Sequence, residues 1–319
     1  MGELTCPLIL DRIEWNRTLS QRKAMAESTA MPRRWNEVVD RVAQGQVLPS
    51  GLATMFARGI HFGWNLMPSI ILAAAFRRPL AYLCWGVDYH RGIRRRVARM
   101  VLRSADVVFV NDDKTAAEVR KVAGVQARRL PYVVDTEFYA IDAAPRGDFL
   151  FCPGANDRDG EVLLALARGG RKVVWLNYIP ELAQRYKDLD ENLTVVANIS
   201  FERLRELYRS CAVVVLPLTR DVHAAGQTTA LEALASGAAV ILSSGRTAEL
   251  FDEAGLVDVV DGRDVDAWSR GIEKVLARER ADPGLGQARA AHIAKIHGPE
   301  AVADELIKGL AAIGSRERV

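Results

Sequence analysis

The sequence predicts an α/β protein made of two Rossmann-type lobes, each built on a parallel sheet, and three observations lead there. Short apolar runs alternate with longer amphipathic segments along most of the chain, the pattern of β-α-β units whose sheet is covered on both faces. The runs fall into two sets: Pro7–Ile13, Gly59–Trp64, Pro79–Trp85, Ala105–Val110 and Arg129–Val134, then Phe149–Pro153, Lys172–Asn177, Leu193–Ala197, Ala212–Pro217, Ala238–Ser243 and Leu256–Val260. Between them Asp135–Asp148 (DTEFYAIDAAPRGD) shows no periodicity and reads as a linker. Finally, 319 residues exceed the roughly 100–200 of one domain. The expected division is an N-terminal lobe over residues 1–140 and a C-terminal lobe over 141–298. Ligands of open α/β sheets bind at the carboxyl ends of the strands, so function is expected in a cleft lined by those ends.

Composition narrows the partners. Forty-three basic and 40 acidic residues leave a net charge of +3, too even a balance for a nucleic-acid binder. Cys6, Cys84, Cys152 and Cys211 lie far apart with no C-x-x-C pair, which indicates neither a zinc site nor a disulfide framework. Reduced thiols and an N-terminus (MGELTCPLILDRIEW) without a basic lead and apolar run make the expected location cytoplasmic. The stretch Gly59–Ala75 is interrupted by Asn65 and Pro68 and closed by Arg77 and Arg78, short of the about 20 apolar residues of a membrane span.

The window Ala212–Ser244 (AVVVLPLTRDVHAAGQTTALEALASGAAVILSS) carries the chemistry. A buried strand ends at Pro217, a polar loop with Arg220, Asp221 and His223 follows, and Gly226 leads into a helix expected to begin near Thr228 as N-cap and to stop at Gly237. The amides of Thr228 and Thr229, at the positive end of the helix dipole, suit a diphosphate. One turn on, Glu232 can accept two hydrogen bonds from a ribose diol. The plainer alternative is an ordinary loop-to-helix junction with Glu232 in solvent.

The run AGQTTALEALASGAAVI, with LRELYRSCAVVVLPL before it and AELF after, resembles the donor-binding region of family-4 retaining glycosyltransferases of the GT-B fold. Three further segments agree in order: IHFGWNLMPSIILA with RRPLAYLCWGVD, then ADVVFVNDDKTAAEV, then LPYVVDTEFY. The resemblance implies that Glu232 binds the donor ribose and that Gly226, Gln227, Thr228 and Thr229 lie beside the diphosphate. It also implies that Arg158, in PGANDRDGEVLLAL with Gly154 and Asn156, neutralises phosphate and stabilises the leaving nucleotide. It further implies that the amphipathic segment Pro299–Gly314, within the tail 299–319, packs back on the first lobe. Two departures stand out. Position 224, where many members carry an acidic residue, is alanine, with Asp221 or His223 as substitutes, and DGEVL follows Arg158 where many members have a lysine.

On the acceptor side Asp88 ends a strand (WGVD), placed to orient an acceptor hydroxyl, to touch the donor sugar, or simply to cap the next segment. His61 is a weaker candidate, more simply a hydrogen-bonded interior histidine. The mechanism implied is transfer with retention from a nucleotide sugar to an acceptor glycan, lipid-linked sugar or protein, without cofactor or metal; no acidic cluster has ligand spacing. The run HRGIRRRVARMVLR alternates Arg94, Arg95 and Arg99 with apolar residues, suiting either a peripheral membrane contact or a solvated helix. A catalytically silent protein that binds a sugar nucleotide or a protein partner is the rival from another class, and an epimerase on the same fold is a minor third.

Overall fold

The computed structural model describes residues 8–10, 28–30, 32, 38–39, 42, 47–49, 59–64, 66–87, 90–142, 146–219, 225–252 and 255–314. Asp88, Asp221 and His223 lie outside the described residues. The chain forms two compact units, one of residues 1–16, 34–133 and 299–319, the other of residues 17–33 and 134–298.

The first unit holds strands β1 (Leu8–Leu10), β2 (Val47–Pro49), β3 (Ile60–Gly63), β4 (Leu80–Cys84), β5 (Val107–Val110) and β6 (Arg128–Arg129), in the parallel order β2-β1-β3-β4-β5-β6. Helices α1 (Pro68–Ala75), α2 (Gly92–Ser104) and α3 (Asp113–Ala123) set Ile70, Ala73, Val101, Leu102 and Val119 against Leu80, Tyr82 and Val108. Asp112 opens α3 by accepting from the Thr115 amide at 2.7 Å, and Gly124 closes it with φ of 71°, the paired signals of a helix start and stop. A second buried cluster of the unit is filled from residues beyond 298. The last helix, Pro299–Gly314, places Val302, Leu306, Leu310 and Ile313 with Phe62, Phe109 and Leu130. A Cβ on Gly309 would stand 2.3 Å from the Phe109 ring, so only glycine lets that helix approach β5 so closely.

Two strands differ from expectation. β2 falls in a stretch whose sequence shows no alternation, and three residues are too few to make a pattern. The run expected at Arg129–Val134 pairs only through Arg128 and Arg129. Pro131 has no N–H for a ladder, and the Leu130 carbonyl is taken by the Asn111 side chain at 2.8 Å.

The second unit holds β7 (Leu150–Pro153), β8 (Val173–Leu176), β9 (Leu193–Val196), β10 (Val213–Leu216), β11 (Val240–Ser243) and β12 (Asp258–Val260), all parallel in the order β12-β11-β10-β7-β8-β9. Its helices are α4 (Gly160–Arg168), α5 (Pro180–Tyr186), α6 (Phe201–Ser210), α7 (Gln227–Ala235), α8 (Arg246–Asp252), α9 (Val265–Ala281) and α10 (Leu285–His297), and the closing helix of the first unit is then α11. Trp175, Trp268, Leu163, Val213, Val215 and Ile241 form one buried cluster. The expected strands are thus present in this unit, trimmed by a residue or two at their ends.

α7 ends in a Schellman pattern: the Ala238 amide donates to Ala233 and the Gly237 amide to Leu234, with Gly237 at φ of 70°. Behind that turn sits Arg146. Its Nη1 donates to the carbonyls of Tyr208 (3.1 Å), Arg209 (3.3 Å) and Cys211 (3.3 Å), and its Nη2 to that of Ser236 (2.9 Å). One guanidinium from a segment without periodicity thereby satisfies the last carbonyls of α6 and α7 together, at their negative dipole ends.

Residues 28–30 dock on the start of α6. Glu202 accepts from the amides of Thr29 (2.7 Å) and Ala30 (2.5 Å) and from Thr29 Oγ1 (2.9 Å), while Ser28 Oγ accepts from the Phe201 amide at 2.9 Å. The Ala30 amide first, then the backbone amide of Glu202 itself and the Thr29 and Ser200 side chains, hold the Glu202 carboxyl down at about 2. A carboxyl depressed on folding stabilises above its unfolded value of 4.5 and loses that contribution as pH falls toward about 2. The Thr29 and Ala30 amide resonances are therefore expected to titrate with a midpoint well below 4, and Glu202→Gln to release the segment at neutral pH. A midpoint near 4.5 would count against the docking.

Candidate functional site

The candidate donor residues come from two loop-to-helix junctions of the second unit, at the carboxyl ends of the neighbouring strands β7 and β10. The loop after β7 is held tight from within: Trp175 Nε1 donates to the Gly154 carbonyl at 2.9 Å, and Asp159 caps α4 by accepting from the Glu161 amide at 3.1 Å. The two junctions are tied together, since the Asp159 amide donates to Pro217 at 2.7 Å and the Thr219 amide to Asp157 at 2.9 Å.

Arg158 lies at the centre of this arrangement, 9% exposed. Its Nε and Nη2 donate to the Pro153 carbonyl at 3.2 and 2.9 Å, its Nη1 to the Asn156 carbonyl at 3.0 Å, and Nη2 stands 3.5 Å from Thr229 Oγ1. A Cβ on Gly154 would approach Arg158 Nη2 to 3.3 Å, and one on Gly226 would come within 3.8 Å of both terminal nitrogens. Both glycines also take positive φ, 91° and 80°, so the backbone calls for glycine at each, and at Gly154 the lack of a side chain also makes room for the guanidinium. Among the described residues no carboxylate forms an ion pair with Arg158. A buried guanidinium with neutral partners only is a receptor for an anion.

α7 supplies the second half. Gly226, in the left-handed region, is its N-cap, which corrects the expectation that Thr228 would play that part; Thr228 is the second residue of the helix. The reason is local: with φ of 80° at Gly226 the chain turns two residues earlier than the threonine suggests, and glycine as N-cap has no side chain to offer the first turn. The amides of Gln227, Thr228 and Thr229 precede the first intrahelical bond, from Ala230 to Gly226 at 2.8 Å, and so keep their donor capacity. Thr228 is exposed, while Gln227 is 1% exposed, and among the described residues neither polar atom of its side-chain amide has a partner.

Glu232 is half-buried rather than solvated, and its Oε2 accepts from Tyr208 Oη at 2.8 Å. Tyr208 sits among Tyr139 and Phe151, edge to face, and burial, then the Glu232 charge, push its phenol well above the usual range. It remains a donor at every working pH and fixes the carboxylate's orientation. Sequence reasoning passed over Tyr208 because it stands 24 residues before its partner. It likewise passed over Tyr178, whose phenol is raised by burial, with Arg158 acting in the opposite direction.

The structure thus brings Gly154, Asn156, Arg158, Gly226 and Thr229 together, with Glu232 one turn along the same helix. His61, in the other unit, is 1% exposed, and among the described residues neither ring nitrogen has a hydrogen-bond partner. It is interior, and burial, then Arg78, lowers its pKa. Among the described residues no three His, Cys, Asp or Glu side chains gather as metal ligands would.

No curated protein matches the chain significantly. The model of glycosyl transferases group 1 matches residues 155–278, less than half of the chain. In structure the chain is similar to a glycosyltransferase from Rickettsia africae (10% identical, TM-score 0.72, covering 98% of this chain and 100% of that one). It is also similar to HepE from Anabaena in complex with UDP (12%, 0.70, 96% and 100%) and to sucrose-phosphate synthase from Thermosynechococcus elongatus (20%, 0.63, 78% and 72%). At such identities the likeness is one of fold. The segment that holds Arg158, Gly226 and Glu232 thus matches glycosyl transferases group 1, on a chain whose two lobes of parallel sheet are the GT-B fold of the glycosyltransferases it resembles.

Proposed function

We propose that the protein is a retaining glycosyltransferase of family 4 that moves a sugar from a nucleotide-sugar donor to an acceptor hydroxyl in polysaccharide, glycolipid or glycoprotein assembly. The observation that carries this is Arg158, a buried cation without a carboxylate partner among the described residues, set against the free amide end of α7. A diphosphate supplies the charge that such a constellation lacks. A ribose diol fits the Glu232 carboxylate, one oxygen of which is held by Tyr208. Uridine is the first base to try, because HepE, 13% identical, was crystallised with UDP-glucose.

In the reaction the bond between the anomeric carbon and the diphosphate breaks, with the growing charge on phosphate taken up by Arg158 and the α7 amides. The acceptor oxygen bonds to the same face of an oxocarbenium-like centre and passes its proton to an oxygen of the departing diphosphate. Asp88 orients that hydroxyl, and Asp221 or His223 contacts the donor sugar. Neither metal nor cofactor enters. The acceptor is a glycan, lipid-linked sugar or protein, met in the cytoplasm at the inner face of the membrane, with Arg94, Arg95 and Arg99 as the peripheral contact. Alanine at position 224 and the lack of a lysine in DGEVL favour a second reading, a silent sugar-nucleotide or partner binder.

The test is a thermal-shift panel of UDP, GDP, ADP and their sugars, followed by turnover with whichever donor binds. Stabilisation by one nucleotide with transfer supports the enzyme, and stabilisation without transfer or hydrolysis supports the silent binder. No stabilisation by any nucleotide defeats both.

A further inference from the structure

The most lopsided charge in the chain lies outside the donor site. Residues 59–104 contain eight arginines and one acidic residue, Asp88, in a protein otherwise close to neutral. They concentrate on α2 and beside α1, and these two helices pack against each other.

α2 is buried through Ala98 (3% exposed), Val101 and Leu102. Arg94 and Arg95 stand four and three residues before Ala98, so they share its side of the helix, yet both are exposed, as are Arg91, Ile93, Arg96 and Arg99. The first turn and a half of α2 therefore overhangs the body of its unit and meets solvent all round. Among the described residues no carboxylate pairs with Arg91, Arg94, Arg95, Arg96 or Arg99, and the first turn contains no acidic residue. Cations there oppose the helix dipole, so fold stability does not account for them. In their midst Ile93 is 78% exposed, the highest value among the large apolar side chains described. The next, Phe76 at 66%, follows α1 and directly precedes Arg77 and Arg78. The two most exposed apolar side chains thus both sit among arginines.

We infer that the α1–α2 face docks on a membrane surface rich in anionic lipid, the arginines meeting headgroup phosphates and Ile93 and Phe76 entering the boundary with the acyl chains. Guanidinium groups around an apolar tip match the two layers of such an interface. A nucleic-acid backbone offers charge but nothing for the isoleucine. The inference deepens the peripheral contact named in the proposed function and rests on that part of it, while its residues belong to the other unit from the donor residues, so its failure and that of the donor site are told apart.

The experiment is co-sedimentation of the full chain with vesicles of phosphatidylcholine alone or with phosphatidylglycerol added, with the UDP thermal shift measured on the same preparations. Binding is expected with anionic vesicles only and is expected to weaken with added salt. The variant Arg94→Gln/Arg95→Gln/Arg99→Gln is expected to lower the partition coefficient on the order of a hundredfold. Ile93→Ser/Phe76→Ser is expected to lose the portion of binding that survives high salt. Both variants should keep the wild-type melting temperature and the same response to UDP. Equal binding to neutral vesicles, no binding to anionic ones, or binding indifferent to the triple substitution overturns the inference, and a preference for heparin or duplex DNA over anionic vesicles does so as well. A missing UDP response with intact vesicle binding would instead count against the donor site alone.

Discussion

Glu232→Ala is expected to weaken nucleotide binding by at least a hundredfold while leaving the affinity for inorganic pyrophosphate unchanged. The carboxylate accepts from the ribose and makes no contact with phosphate in the proposed pose, and each hydrogen bond to a charged group contributes about 1.5–3 kcal/mol. Tyr208→Phe should give a smaller loss of about tenfold, because the phenol donates to Glu232 Oε2 at 2.8 Å and acts on the ribose only through that oxygen. The two substitutions should not add: the double variant is expected to bind nucleotide as weakly as Glu232→Ala alone. Calorimetric titration with UDP and with pyrophosphate decides it. Equal losses for both ligands would show that the substitution damaged the phosphate side or the fold, and no loss for either would remove Glu232 from the site.

Arg146→Met is expected to cost about 3 kcal/mol, because it leaves helix-end carbonyls of two helices without donors in a partly buried place. The melting temperature of the second unit should fall by about 6–12 °C on the usual scaling for its size. Arg146→Lys should recover only part, since one ammonium cannot reach the Tyr208, Arg209, Cys211 and Ser236 carbonyls that the fork spans. A change under about 2 °C in a thermal melt would show that water replaces the guanidinium at little cost. The Ser236 carbonyl caps the far end of α7, so the same variant is also expected to loosen UDP binding at the near end.

What the sequence made legible was whatever its local chemistry dictates. The apolar runs of the second unit became strands because a parallel sheet whose central strands are buried leaves few other patterns open, and Gly237 ended α7 because a left-handed turn there needs glycine. The start of α7 was misplaced because threonine and glycine both serve as N-caps, and the choice was made by φ at Gly226. Tyr208 and Arg146 were illegible for a different reason. Their partners lie 24 to 90 residues away, and no spacing rule reaches that far. The linker segment in particular, empty of periodicity, delivers Arg146 to the back of the donor helix and Ile141 to within 2.6 Å of where a Gly237 Cβ would stand.

The placement of α11 has a consequence for the order in which the protein is made. The core of the first unit needs Val302, Leu306, Leu310 and Ile313, which leave the ribosome only after the whole stretch 134–298 of the second unit. The second unit can therefore close while the first still waits, its sheet already synthesised and a face around Phe109 open to water. During that interval the nascent chain depends on chaperones or on speed, since an uncovered parallel sheet invites association. A chain stopped after Gly298 should reproduce the state: resistant to protease over residues 134–298, cleaved within the first unit, and still stabilised by UDP. Protection of both units in that chain would show that the sheet closes without its last helix.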